Sequence, residues 1–247
     1  MSNLTTLDEL FRQAVTFPGP SLRLAGLEMA LTAVEAQLTY LRAQMEVRLK
    51  AKLKRESHSM HLDDIEFERH QFSQMVDELL PKVFRGGFVI SLWSVFEACV
   101  KDMAEYTRRE RRIPFGLQDL RAGDFLEQTE KFFLGAIELK AFPDKQVRKK
   151  IDELRGFRNA LAHHDGSTDK LPKSLQARNP DQYKDFGLRV YRDLHHEYAV
   201  PTDEYVLRNL SVIHDYLEWL AKQVYARLHP IGADDEVSEL AGQKGLG

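Results

Sequence analysis

The amino-acid sequence predicts an all-α protein, a bundle in which helices pack against helices. Apolar residues recur three and four positions apart over several long stretches, which places them on one face of a helix. Strands do not alternate with helices along the sequence, and no segment is repeated. A chain of 247 residues is long enough to bury a substantial core. Any strands are expected between residues 167 and 200.

The first predicted helix carries the strongest periodicity in the chain. Its apolar positions alternate three and four residues apart, as in the seam of a coiled coil: Leu24, Leu27, Leu31, Val34, Leu38, Leu41 and Met45. The helix then becomes basic over residues 48–55 and is expected to end between Glu56 and His61. The seam is either a dimerisation surface or the contact of an arm packed along the bundle. We favour packing within the fold.

A second helix is predicted to begin at Asp63. Its spacing places Phe67, Met75 and Leu79 among the inward residues. Pro81 is expected near its end, because proline has no N–H to donate within a helix.

The third helix should be the most buried one. Gly86-Gly87 is expected to act as a flexible joint in front of it, and it finishes in the basic run Arg108–Arg112, which suits a helix C-terminus. Two more helices are predicted, over about residues 124–140 and 145–164.

The chain after these helices is less regular. Asp165-Gly166 is expected to close the preceding helix, since glycine takes the left-handed conformation that ends many helices. Residues 167–200 are long for a loop, so we expect them to be functional, mobile or partly structured. A last amphipathic helix should be capped by Thr202 or Asp203 and run to about Leu228.

These elements suggest one folded domain between two terminal segments. Residues 1–20 form an N-terminal segment, and residues 21–229 form a single all-helical domain. Within that domain, residues 21–60 are a long helical extension and residues 84–229 are the core. Residues 230–247 are expected to be a disordered tail.

Composition narrows the class of protein. The chain has 35 Lys and Arg against 38 Asp and Glu, so affinity for nucleic acid would have to come from local basic patches. A single cysteine, Cys99, excludes a disulfide framework and suits a small core residue in a reducing compartment. The longest apolar run, Gly86–Val100, is shorter than the roughly 20 residues of a membrane helix. We therefore expect a cytoplasmic protein without a membrane contact.

One segment suggests chemistry: residues 154–166, Leu-Arg-Gly-Phe-Arg-Asn-Ala-Leu-Ala-His-His-Asp-Gly. In it Arg158 is followed by Asn159 and precedes His163 near the end of a predicted helix. The spacing alone is common, because it recurs at Arg55/His61, Arg189/His195 and Arg208/His214. The context favours Arg158: an upstream apolar helix containing Glu97, then the motif helix, a variable loop and a closing amphipathic helix.

This combination resembles the HEPN family, over roughly residues 84–228. The resemblance implies a helical bundle, a homodimer whose motifs meet across a two-fold axis, and metal-independent endoribonuclease activity. Active proteins of this family occur mostly in toxin–antitoxin and phage-defence systems, so an antitoxin or a defence partner protein is also implied.

The residue types suit RNA cleavage without a metal, since the 2′-hydroxyl of RNA attacks the adjacent phosphate once it loses its proton. His163 would transfer the proton, and Arg158 would bind the phosphate and its developing charge. Asn159 would orient the histidine or the phosphate. On an ideal helix Arg158 and His163 are about 140° apart. Both face one cleft only if the helix end unwinds or a second chain completes the site.

Secondary candidates surround this trio. His164 is within range of the motif but suits a helix end, and Glu97 is either a partner of Arg158 or an acid satisfied in the core. The candidates for RNA contact are Arg155, Lys149, Lys150, Arg108 and Arg109. We expect no metal and no cofactor, and we interpret His195-His196-Glu197, with Asp193 nearby, as a solvated loop.

Two other hypotheses remain open. The chain could be a non-catalytic dimeric scaffold of the same family that binds RNA, a nucleotide or a partner protein, in which case the Arg158/His163 pair is dispensable. Alternatively, His164-Asp165 could be the doublet of a helical metal-dependent phosphohydrolase, which metal dependence would reveal. The sequence contains no glycine-rich phosphate loop and no nucleophile elbow.

Overall fold

A computed structural model describes most of the chain between residues 19 and 230. The described residues are 19–56, 58–121, 123–177, 179, 181–192 and 196–230. The expected N-terminal segment and disordered tail lie almost entirely outside them.

The described chain is mostly helical, which confirms the predicted all-α fold class. The helices are α1 (Gly19–Glu56), α2 (Leu62–Ser73), a π-helical turn (Gln74–Leu79), α3 (Leu80–Glu110), α4 (Phe125–Ile137), α5 (Lys145–His164), the short α6 (Gln182–Asp185) and α7 (Asp203–Leu228). Strands β1 (Leu188–Arg192) and β2 (Glu197–Pro201) form an antiparallel pair. This pair lies where strands were expected, to within one residue.

The chain divides into two compact units. One, which we call the motif unit, comprises residues 23–95 and 149–212. The other, which we call the terminal unit, comprises the described residues within 19–22, 96–148 and 213–230.

In the motif unit, α1 and the helical run that begins with α2 form an antiparallel hairpin. Three ion pairs join them: Glu35 with Arg85, Arg42 with Asp77, and Lys52 with Glu68. From Glu35 to Lys52 the residue numbers rise along α1, while those of their partners fall from Arg85 to Glu68 along the run from α2 to α3, which is the order that antiparallel helices require. Leu24 and Leu31 of the seam are buried within the single chain, and Leu38 and Met45 are half-buried. Packing within the fold therefore accounts for part of the seam.

The run from α2 to α3 differs from the prediction, because it is helical without a break from Leu62 to Glu110. Pro81 lies in the first turn of α3, directly after the π-helical turn, where the hydrogen-bond register changes and a helix accepts a residue without an N–H. Gly86 is buried, and a Cβ there would lie 3.6 Å from Leu161 of α5. The predicted joint at Gly86-Gly87 is therefore wrong, and Gly86 lies at a close helix approach.

The inward face predicted for the second helix is also wrong in part. Phe67 is 58% exposed, Met75 is 43% exposed and Leu79 is 39% exposed, and α2 has no buried residue. By contrast α3 is strongly buried, as expected: Val89, Leu92, Phe96, Val100 and Met103 are inaccessible to solvent.

The helical run Leu62–Glu110 contains an 18-residue window with a mean hydropathy of 1.5, of which 44% is buried. By length and composition alone this helix could cross a membrane, although the core helix of a soluble protein passes the same test. The cytoplasmic location stays a prediction.

The terminal unit packs around aromatic side chains. Asp124 caps α4 by accepting a hydrogen bond from the N–H of Glu127 at 2.9 Å. Tyr216 of α7 is buried, stacks on Phe142 with ring centroids 5.2 Å apart and donates its hydroxyl to the carbonyl of Ala141 at 3.0 Å. Burial raises the pKa of this hydroxyl, so it remains a donor.

Candidate functional site

The motif residues lie on the last three turns of α5, in the motif unit. The buried face of this helix presents Ile151, Leu154, Phe157 and Ala160. Residues 155, 159 and 163 follow one another at four-residue intervals, so they share a face at the other side of the helix. Asn159 and His163 on this face are exposed, and Arg155 is half-buried.

Arg158 lies at the edge between the buried and the exposed face. Helix geometry places Arg158, Ala162, Asn159 and His163, in that order, on an arc of about 140°. Alanine near the middle of this arc leaves the surface between Arg158 and His163 free of a long side chain. α5 is helical through His164. The structure therefore lacks the unwound helix end that would turn Arg158 and His163 toward one cleft.

The guanidinium of Arg158 turns toward Asn159. Its Nη1 donates a hydrogen bond to the side-chain oxygen of Asn159 at 3.0 Å, and its Nε is buried without a hydrogen bond to the residues that the structure describes. A buried donor without a partner is costly, and such groups in native proteins often mark functional sites. The Nε of the neighbouring Arg155 is buried as well, and its Nη2 lies 2.6 Å from the carboxylate of Asp152.

His163 and His164 are both exposed, and their ring centroids are 6.4 Å apart with an interplanar angle of 71°. The helix then ends as predicted. Asp165 and Gly166 have φ values of 53° and 77°, and the N–H of Gly166 donates to the carbonyl of Ala160 at 2.9 Å. The two imidazoles therefore project from the final turn beside a well-ordered helix end.

A charged contact that sequence reasoning missed holds this end. The ammonium of Lys82 lies 2.6 Å from the carboxylate of Asp165 and 3.9 Å from the centroid of the Tyr198 ring. The Lys82 side chain is only 13% exposed, and the Tyr198 hydroxyl donates to Glu78 at 2.9 Å. Lys82, Glu78 and Tyr198 lie far from the motif in sequence, so no local pattern could have indicated their contacts with it.

An open pocket of about 540 Å³ adjoins the imidazole of His164. Its lining is His164, Asp165, Ser167, Thr168, Asp169, Lys170, His196, Glu197 and Tyr198. Residues 167–200, which were expected to be functional, mobile or partly structured, thus supply most of the lining of this pocket next to the motif.

The other predicted site residues are dispersed. Lys149 pairs with Glu153 at 3.8 Å, and Lys150 lines a separate pocket of about 230 Å³. In the terminal unit Arg108 and Arg109 both bind Glu105 and lower its pKa to about 2. Their positive charge is therefore partly neutralised within α3.

Glu97, also in the terminal unit, is half-buried and lies 3.9 Å from the ammonium of Lys101. Among the described residues no group of three or more His, Cys, Asp or Glu side chains is arranged to hold a metal ion. His195 and Asp193 of the loop considered above lie outside the described residues.

Comparisons with protein-family models, with curated proteins and with solved structures found no match to this chain. The HEPN resemblance therefore depends on the motif residues and on the order of the helices.

Proposed function

We propose that this chain is a metal-independent endoribonuclease of HEPN type, with Arg158, Asn159 and His163 as its catalytic residues. The observation that supports this most is the position of the Arg158 guanidinium beside Asn159. Its guanidinium is held at the exposed side of α5, where Nη1 donates to the side-chain oxygen of Asn159 at 3.0 Å, while Nε is buried. A phosphate oxygen is the kind of acceptor that a planar guanidinium binds best.

In the proposed reaction neutral His163 accepts the proton of a 2′-hydroxyl. The 2′-oxygen attacks the adjacent phosphorus, the bond from phosphorus to the 5′-oxygen breaks, and a cyclic phosphate remains on the first product. The leaving 5′-oxygen takes a proton from water or from His164. Arg158 stabilises the charge that builds up on the phosphate oxygens during this step.

The geometry of α5 favours a site that is completed across a dimer. With a regular helix, the arc of about 140° separates the imidazole from the guanidinium. A phosphate bound by Arg158 of one chain could meet His163 of a second chain, which is the arrangement that the resemblance implies.

The test is cleavage of labelled single-stranded RNA and tRNA in EDTA by the wild type, His163→Ala and Arg158→Ala. We expect products with cyclic phosphate ends. Each variant should lose activity by a factor of about 10² or more, as is usual when a general base or a charge-stabilising group is removed. His214→Ala and Arg189→Ala are matched controls, because each removes the same residue type from a similar Arg/His spacing.

Three outcomes would contradict the proposal. Cleavage that His163→Ala leaves unchanged would identify another site or a contaminant. A requirement for a divalent cation would favour the phosphohydrolase hypothesis. An inert but correctly folded wild type that still binds RNA or a partner protein would favour the scaffold.

The resemblance also favours a toxin–antitoxin or phage-defence context. Growth arrest on expression that depends on His163 and is relieved by a co-expressed partner protein would support that part of the proposal.

A further inference from the structure

A further pocket of the motif unit, which we call the α5/α7 pocket, lies between the first part of α5 (Lys150, Glu153) and the first part of α7 (Tyr205, Arg208, Asn209). Its volume is about 230 Å³, and it is more enclosed than the pocket beside His164. This space equals that of about eight waters at roughly 30 Å³ each. It is below the range of about 300–1,000 Å³ that is usual for drug-sized ligands, so it suits a small metabolite.

Buried, uncharged side chains form the floor of the α5/α7 pocket. Tyr205 is 2% exposed, and its ring packs edge to face on Phe157 with centroids 4.9 Å apart. Asn209 is 8% exposed and donates its amide N–H to the carbonyl of Tyr205 at 2.8 Å, which leaves its side-chain oxygen as an acceptor. Burial raises the pKa of the Tyr205 hydroxyl, so this hydroxyl stays protonated. The floor therefore offers a hydrogen-bond donor and an acceptor.

Four charged side chains surround this floor, two of each sign: Lys150, Arg208, Glu153 and Asp185. Two of them are already engaged. The Arg208 guanidinium donates to the carbonyl of Phe186, and the Glu153 carboxylate lies 3.8 Å from the ammonium of Lys149. The charge of Arg208 lowers the pKa of the Tyr205 hydroxyl and that of Glu153 raises it, so both charges lie near the floor.

The other two charges have no such partner. Lys150 and Asp185 are exposed, and neither forms an ion pair with a residue that the structure describes. They therefore do not pair with each other, although they line the same small pocket and have opposite signs. A ligand between them that carries one charge of each sign would pair with both.

We propose that the α5/α7 pocket binds a free amino acid. The carboxylate of the ligand lies beside Lys150 and its ammonium lies beside Asp185, as charge-assisted hydrogen bonds require. The apolar part of the lining packs against the side chain of the ligand: Leu175, Phe186 and Val212. Phosphate and other anions suit the pocket less, because its two carboxylates repel them, and a polyamine meets two cations. The site does not depend on the proposed ribonuclease activity.

The first test measures the thermal stability of the full-length protein with each of the protein amino acids at about 10 mM, which reveals a Kd of about 1 mM. At least one amino acid should raise the Tm, because a ligand that binds only the folded state stabilises it. Calorimetry should then give one site per chain. Sodium acetate, ethylammonium chloride and inorganic phosphate at matched ionic strength are the controls. Each carries charge of one sign only and should leave the Tm unchanged.

The second test changes the lining. Lys150→Gln and Asp185→Asn should each raise the Kd of that amino acid by a factor of about five or more, because each removes a charged partner. Tyr205→Phe should raise it by a factor of about three, since this variant loses the hydroxyl and keeps the ring. Lys173→Gln and Asp181→Asn are matched controls, because both side chains are exposed and neither lines the pocket. Circular dichroism should show the wild-type helix content in every variant.

A protein whose Tm rises with none of the amino acids would overturn the proposal. Binding that Lys150→Gln and Asp185→Asn both leave unchanged would also overturn it, because the ligand would then lie elsewhere. Equal stabilisation by acetate or phosphate would show that the pocket selects an anion and not a zwitterion. All of these measurements are made without RNA, so their failure is separate from failure of the ribonuclease proposal.

Discussion

Substituting Gly156 by alanine tests how the motif helix is packed. Gly156 lies on α5, two residues before Arg158, and a Cβ there would overlap Cγ of Pro172 and lie 3.3 Å from two other atoms of that ring. The proline ring cannot rotate out of the way, so the backbone must move. Overpacking of this kind costs about 1–3 kcal/mol, whereas alanine in a helix interior gains roughly 0.5–1 kcal/mol over glycine. Steric overlap should win, and Gly156→Ala should lower the free energy of unfolding by about 1 kcal/mol.

Gly87→Ala is the matched control. Gly87 is exposed within α3, and a Cβ there would meet no atom within 4 Å. Only the helix preference applies, so this variant should be stabilised by roughly 0.5–1 kcal/mol. Urea unfolding followed by circular dichroism measures both variants. If Gly156→Ala is stabilised as much as Gly87→Ala, the contact between α5 and Pro172 is refuted. If Gly87→Ala gains nothing, the unbroken helix through Gly86-Gly87 is refuted.

Two further predictions concern charged groups. Lys82→Met should lower the free energy of unfolding by about 1–2 kcal/mol in the same urea assay. Most of this loss should come from the cation–π contact with the Tyr198 ring, because the ion pair with Asp165, which is 81% exposed, contributes little to stability. An unchanged free energy of unfolding would contradict the contact between Lys82 and Tyr198. Glu105 should titrate near pH 2 in carboxyl NMR, because two arginines lower its pKa from 4.5. Its stabilising contribution is thus present above pH 4.5 and lost as the pH falls toward 2, and a titration at the ordinary pKa would contradict the ion pairs.

Most helix boundaries could be predicted because local chemistry determines them. Asp124 and Thr202 are capping residues, and each accepts a hydrogen bond from a backbone N–H three residues later. Asp165-Gly166 takes the left-handed conformation that its composition indicates. At these positions a few neighbouring residues suffice to end or begin a helix.

The prediction failed where a distant contact decides the outcome. Glycine and proline between Pro81 and Gly87 are local signs of a break, yet the helix continues. Gly86 is needed because Leu161 packs against it, and Leu161 is 75 residues away in the sequence. A local pattern carries no information about such a neighbour, so a glycine that permits close helix packing resembles one that ends a helix.

The candidate site shows the same division between local and distant causes. The spacing of Arg158, Asn159 and His163 could be found because all three lie on one helix. The direction of the imidazoles depends also on how the end of that helix is held, and there Lys82 bridges Asp165 to the Tyr198 ring of β2. A substitution at Lys82 should therefore change the activity that we propose for His163 without removing a residue of the motif, because it would release the turn that follows the histidine. The motif is thus a local feature of the sequence, whereas its geometry is a property of the folded motif unit.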